Sequence, residues 1–205
     1  MRWILSSLLN IAAIAMISAT LAISSPSSAH EQGVASPQLP QLPNLFGGTF
    51  SLVDHNGVPR TDHDFLGKFQ LINFGYTNCP DICPTGLMTI STVMDSLEHE
   101  ANRVQPLFIT VDPARDTPER LKAYVGKFHP RLIGLSGSEA QVRKVAKAYR
   151  IHRSKVIVDN TETGYLANHT PTIFLMAPDG KFITLFPHGT EPQFMVDAIR
   201  RHMTN

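Results

Sequence analysis

The stretch from Phe69 to Leu87, "FQLINFGYTNCPDICPTGL", constrains this chain more than any other. Phe69 to Tyr76 is short, mostly apolar and bounded by Gly67 and Asn78, the pattern of a strand covered on both faces. Leu87, Ile90, Met94 and Leu97 then recur at helical spacing, and Pro84 suits a first helical turn, where its missing N–H does no harm. The expectation is a central strand, a turn carrying Cys79 and Cys83, and a helix that starts just after Cys83.

The rest of the chain repeats this alternation. Leu107 to Val111 reads as a second strand. Thr117 and Pro118 read as the N-cap and first residue of a helix whose inner face is Leu121, Tyr124, Val125 and Phe128. Ser138 and Gln141 have capping-box spacing ahead of Val142, Val145, Ala146 and Tyr149. Strand-like runs follow at Val156 to Val158 and Thr172 to Met176. Pro178, Asp179 and Gly180 supply turn chemistry before Phe182 to Phe186, which predicts a hairpin, and a last helix is expected near Gln193 to His202. The pattern is that of an α/β domain with a mixed sheet flanked by helices. At 205 residues and 42% hydrophobic content, the chain suits one such domain.

Arg2 precedes an almost uncharged apolar stretch from Trp3 to Ile23, and small residues fill Ser24 to Ala29. Residues 1–29 read as a cleaved export signal or as an uncleaved membrane anchor, since about 20 apolar residues are enough to span a bilayer. Residues 30–44, with Pro37, Pro40 and Pro43, read as a flexible linker, and 45–205 as the folded domain. Either reading of residues 3–23 puts the domain outside the cytoplasm, where two cysteines call for an explanation as a disulfide, a redox pair or a metal site. The net charge of +1, from 18 basic and 17 acidic side chains, leaves no footprint for nucleic acid.

Cys79 and Cys83 fall near the N-terminus of the expected helix, where unpaired N–H groups and the helix dipole favour a thiolate. A structural disulfide closing so small a loop would constrain the unfolded chain little. Zinc in a structural site asks for four protein ligands, and this chain has two cysteines. Two soft thiolates with one imidazole suit Cu(I), and a sulfur and nitrogen set also holds Cu(II). Of nine histidines, position selects His169 in "NHTPTIFL", at a strand edge where a loop can face the cysteine turn. His55, His63, His99, His129 and His202 sit in turns, near helix ends or near the C-terminus, settings that suit solvated positions, while His152 and His188 stay open.

Three blocks carry a resemblance. "YTNCPDICPTGL", "TVDPARDTPERLKAYVGKF" and "NHTPTIFLMAPDGKF" resemble, in order and spacing, the cysteine motif, aspartate block and histidine motif of the SCO/SenC family of copper chaperones. Together they span most of residues 45–186. The resemblance implies a thioredoxin-like fold in which Cys79, Cys83 and His169 coordinate one copper ion. That copper would pass to the copper-bearing subunit of cytochrome c oxidase, or to or from another copper chaperone, on the outer, periplasmic side of a membrane. Asp112, Arg115 and Asp116 match the second block and are expected to be structural, because Asp112 with Pro113 makes a turn and Asp116 precedes a Pro-initiated helix. Asn168 replaces the aspartate usual in the family before this histidine, and so removes a carboxylate that would orient the imidazole. Pro171 makes "HTPT" similar to the loop of thioredoxin-type reductases, in which a cis-proline faces the active cysteines.

The competing reading is a thiol-disulfide oxidoreductase in which Cys79 and Cys83 are the catalytic redox pair and keep oxidase cysteines reduced for metal insertion. His169 separates the two, since exchange needs no imidazole. A peroxidase would carry Ser or Thr where Tyr76 stands, and the seven methionines are too scattered for a methionine copper site.

Overall fold

The computed structural model describes residues 45–157 and 164–204. The expected signal or anchor at residues 1–29 and the linker at 30–44 lie outside the described residues, as does Val158. No helix among the described residues is long and apolar enough to cross a membrane.

In chain order the elements are β1 (Ser51–Asp54), β2 (Pro59–Thr61), β3 (Phe69–Gly75), α1 (Ile82–Ser96), β4 (Val104–Thr110), α2 (Pro118–Val125) and β5 (Ile133–Ser136). They continue with α3 (Glu139–Ala148), β6 (Arg153–Ile157), β7 (Tyr165–His169), β8 (Thr172–Met176), β9 (Phe182–Pro187) and α4 (Pro192–Met203). Seven strands form one sheet in the order β2-β1-β5-β4-β3-β8-β9, and β6 with β7 forms a separate two-stranded sheet. β3 runs parallel to β4 and antiparallel to β8, so the sheet is mixed and β3 is central to it, as expected.

Every residue of β3 is buried. Its alternation splits the core: Phe69 and Leu71 join a cluster with α1, α2 and α4, while Ile72 and Phe74 join one with α3, Phe174 and Tyr149. β-strand periodicity sends successive side chains to opposite faces, so a central strand covered by helices on both sides has to be apolar throughout.

The caps follow the sequence. The Thr117 hydroxyl accepts from the Arg120 N–H with Pro118 in the first turn, and Ser138 with Gln141 forms the capping box of α3. The β8–β9 hairpin pairs Thr172 with Pro187 and Phe174 with Leu185. One boundary is corrected. α1 begins at Ile82, after Asp81 in the cap position, so Cys83 lies inside the first turn rather than before it.

Candidate metal centre

Cys79 lies in the turn between β3 and α1, where its N–H donates to the Tyr76 carbonyl at 3.2 Å. The first N–H groups of a helix have no partner within the helix. One of them, that of Cys83, donates to the Cys79 sulfur at 3.4 Å. Cys83 itself is 1% exposed, and its sulfur sits against Gly75 at the end of β3. A Cβ at Gly75 would come within 2.9 Å of that sulfur and 2.6 Å of the Phe108 ring, so the seat exists because position 75 carries no side chain.

His169 is the last residue of β7, and its Nε2 lies 3.3 Å from the Cys83 sulfur. Its Nδ1 is 3.2 Å from the Thr170 carbonyl. A carbonyl only accepts, so this contact places the ring proton on Nδ1 and turns the Nε2 lone pair towards the sulfurs. The Thr170 carbonyl thus orients the imidazole, the part the absent carboxylate at Asn168 would play, and Asn168 is exposed. The Tyr76 and His169 rings meet nearly at right angles, 6.2 Å between centroids.

Neither cysteine is in a disulfide, and their protons are unequally held. The hydrogen bond from Cys83 opposes the desolvation of Cys79 and, with the facing His169 ring and donation from backbone N–H groups, brings Cys79 down to about 4. The same hydrogen bond, with burial, pushes Cys83 far up. Cys79 is the thiolate and Cys83 the thiol. Burial, and the Cys79 charge beside it, raise the Tyr76 hydroxyl to about 12, so it stays neutral. Among the described residues no group of three or more His, Cys, Asp or Glu side chains is gathered closely enough to hold a metal ion.

An unequal pair has a direct consequence for alkylation. In the reduced protein, iodoacetamide is expected to modify Cys79 first and to keep doing so down to about pH 5, because the thiolate persists above its depressed pKa, whereas an ordinary thiol loses about tenfold in rate per pH unit. Site-resolved mass spectrometry checks this. Equal modification of the two cysteines, or a rate falling tenfold per unit from pH 8, would contradict the assignment.

A cleft of about 320 Å³ opens beside Cys79 and His169, lined also by Tyr76, Ile82, Val156 and Leu166. On the other side of Cys83 is a space of about 20 Å³, lined by Asn73, Gly86, His169, His188 and Thr190 among others.

Of the histidines left open, His152 is exposed and His188 borders only this smaller space. His63, His99 and His202 are exposed, as expected. His55 and His129 are not simply solvated. His55 Nδ1 accepts from the Gly134 N–H at 3.0 Å and pins the β1–β2 turn to β5, while His129 Nδ1 accepts from the Arg131 N–H at 3.2 Å. The Thr170–Pro171 bond is trans, like every peptide bond among the described residues, so the cis-proline likeness is corrected.

The aspartate block does not point at the sulfurs. Asp116 accepts from the Thr77 N–H and from the Thr77 and Thr110 hydroxyls. Asp112 accepts from Arg115 and from the Tyr165 hydroxyl. Sequence reasoning missed Gly75 and Tyr165. A glycine inside an apolar strand signals a close approach, whereas "YLANH" has no apolar–polar alternation to mark β7.

A sequence profile of the SCO1/SenC family matches residues 39–204. The chain belongs to the SCO1/SenC family. Among its SCO relatives, the mitochondrial SCO2 homolog of Bos taurus is 44% identical over 158 residues, 76% of this chain and 59% of that protein. The mitochondrial SCO1 homolog of Mus musculus is 42% identical over 161 residues, 56% of its own length, so the chain spans rather more than half of these relatives. The structure of Bradyrhizobium japonicum ScoI with copper bound superposes with a TM-score of 0.71 at 42% identity, covering 77% of this chain and 99% of that one. Yeast Sco1 with copper bound gives 0.71 at 39% identity, over 78% and 89%. The SCO fold is therefore this chain's fold, thioredoxin-like with a mixed sheet flanked by helices.

Proposed function

We propose that this chain is a copper-delivery protein of cytochrome c oxidase assembly, carrying one copper ion between Cys79, Cys83 and His169. The observation that carries the reading is the 3.3 Å approach of His169 Nε2 to the Cys83 sulfur beside the Cys79 thiolate. Disulfide exchange has no use for that imidazole, whereas two sulfurs and one nitrogen are a donor set of the softness Cu(I) prefers. The copper-bound SCO relatives support the same reading.

Copper is cargo here, and the protein's part is to receive and release it. Cys79 offers a thiolate without cost at neutral pH. Cys83 gives up its proton as the metal arrives, so loading releases about one proton per copper near pH 7 and affinity rises with pH. Cys79, on the cleft side, is the sulfur an incoming ligand of the receiving protein reaches. The half-exposed Ile82 and Val156 beside it give an apolar rim suited to a protein partner. That partner is the copper-bearing oxidase subunit or another copper chaperone. The site works outside the cytoplasm, in the periplasm or held at the membrane through residues 3–23.

The test is an anaerobic Cu(I) titration of the reduced protein against a competing chelator, beside His169→Ala. One tight equivalent in the parent that weakens at least about tenfold in the variant is the expected result. Weak binding indifferent to His169 would leave the disulfide reductase as the better account.

A further inference from the structure

We propose that Asp112, Arg115 and Tyr165 form a latch that positions His169 for copper, a role resting on the copper-delivery reading. β6 and β7 stand apart from the main sheet, and the last four residues of β6 are exposed. A two-stranded hairpin is marginal on its own, so the placement of its His169 end depends on what fastens it to the domain.

The alternation of β7 puts Tyr165, Ala167 and His169 on one face. Ala167 is 8% exposed and packs in the core cluster that contains Cys83. Tyr165 makes the polar fastening. Its hydroxyl donates to Asp112 at 2.8 Å, and its carbonyl accepts from Arg115 Nη1 at 3.0 Å. The Arg115 guanidinium also lies 3.8 Å over its ring.

Both partners are built into the domain. Asp112 is 1% exposed and paired with Arg115, and the Asp112 N–H donates to the Thr110 hydroxyl at the end of β4. Arg115 also approaches the ring of Tyr76, which stands perpendicular to the His169 ring. The latch therefore holds the far end of the same strand face and reaches the imidazole from a second side through Tyr76. A second fastening, the two-pronged pair of Arg153 with Glu139, lies beside His169, with the Glu139 side chain half open to water. Fixing Tyr165 fixes the roll and slide of β7, and a slip by one residue would turn His169 to the opposite face.

The variant is Tyr165→Phe, which deletes one hydroxyl and keeps the ring and the Asp112–Arg115 pair. Cu(I) competition titrations are run on it in the native background and on His169→Ala, with Cu(II) electron paramagnetic resonance of each. Expected are about tenfold weaker Cu(I) binding in the native background, no further loss on His169→Ala, and weakened nitrogen hyperfine coupling. Tyr165→Leu, which also removes the ring, is expected to lose more in the native background alone. Equal losses in both backgrounds, or no loss in the native one, would overturn the latch. If His169→Ala binds copper as tightly as the parent, the ligand assignment falls and the latch with it. If His169 matters and Tyr165→Phe does not, the latch alone falls.

Discussion

Cys83→Ser is expected to weaken Cu(I) binding by at least about a thousandfold, the largest effect of any single substitution at the site. A structural metal site built from three or four donors carries of order 10–16 kcal/mol, so removing one soft donor of three costs roughly 4 kcal/mol. Serine offers no substitute, because its hydroxyl keeps its proton at neutral pH and its oxygen is a hard donor that Cu(I) disfavours. Cys79 is spared, since the Cys83 hydrogen bond is the largest influence holding it as a thiolate and a serine hydroxyl can donate there in place of the thiol. Cys79 should therefore stay acidic in the variant. Anaerobic chelator competition gives the affinity, and the pH dependence of Cys79 alkylation checks that the thiolate is kept. A loss below about tenfold would remove Cys83 from the ligand set. On the oxidoreductase reading the same variant behaves differently, for Cys79 would then accumulate as a mixed disulfide that no second thiol resolves.

The elements legible from the sequence were those whose period and punctuation agreed. β3 had an unbroken apolar run between turn residues, α2 had Thr117 and Pro118 at its start, and α3 had Ser138 and Gln141. β1, β2 and β5 are three or four residues each, too short for a period to register, and both ends of β2 are exposed. β7 escaped notice because its pairing is only with β6, and a hairpin outside the main sheet lacks the continuous apolar run of a covered strand.

At the site, Cys79 and Cys83 were readable because four residues of spacing at a strand-to-helix turn bring two sulfurs together by local geometry alone. His169 was expected just ahead of the Thr172–Met176 strand, and it is there, 3.3 Å from the Cys83 sulfur, although it also ends a strand of its own, β7, that the sequence did not mark. The supports were harder to see. Tyr165 meets Asp112 across 53 positions, and Thr77 meets Asp116 across 39. Nothing local marks such pairs, since the fold alone brings them together. His55 misled for the same reason, since the N–H that needs it as an acceptor, that of Gly134, lies 79 positions away, whereas the N–H that His129 accepts from, that of Arg131, is only two residues on.

Asp116→Ala is expected to destabilise the fold by about 3 kcal/mol, because three donors lose their acceptor at once in a site that water does not reach. The carboxylate is 1% exposed and takes the Thr77 N–H at 3.1 Å and the Thr77 and Thr110 hydroxyls at 2.6 Å each. Thr77 is two residues before Cys79, so the brace under the cysteine turn loosens with it. Burial raises its carboxyl above the usual carboxylate range in spite of those hydrogen bonds. Asp116→Asn keeps one of those acceptor oxygens and should therefore cost much less than Asp116→Ala. The sign of the pH effect follows from the same shift. A carboxyl raised in the folded state adds stability that is fully present below its unfolded pKa and is lost as pH rises through the folded one. The margin of the parent over Asp116→Asn should widen as pH falls. Urea unfolding of the two variants from neutral to acid pH measures all of this. A cost for Asp116→Ala below about 1 kcal/mol, or a margin that narrows in acid, would show that the turn is held by something other than this carboxylate.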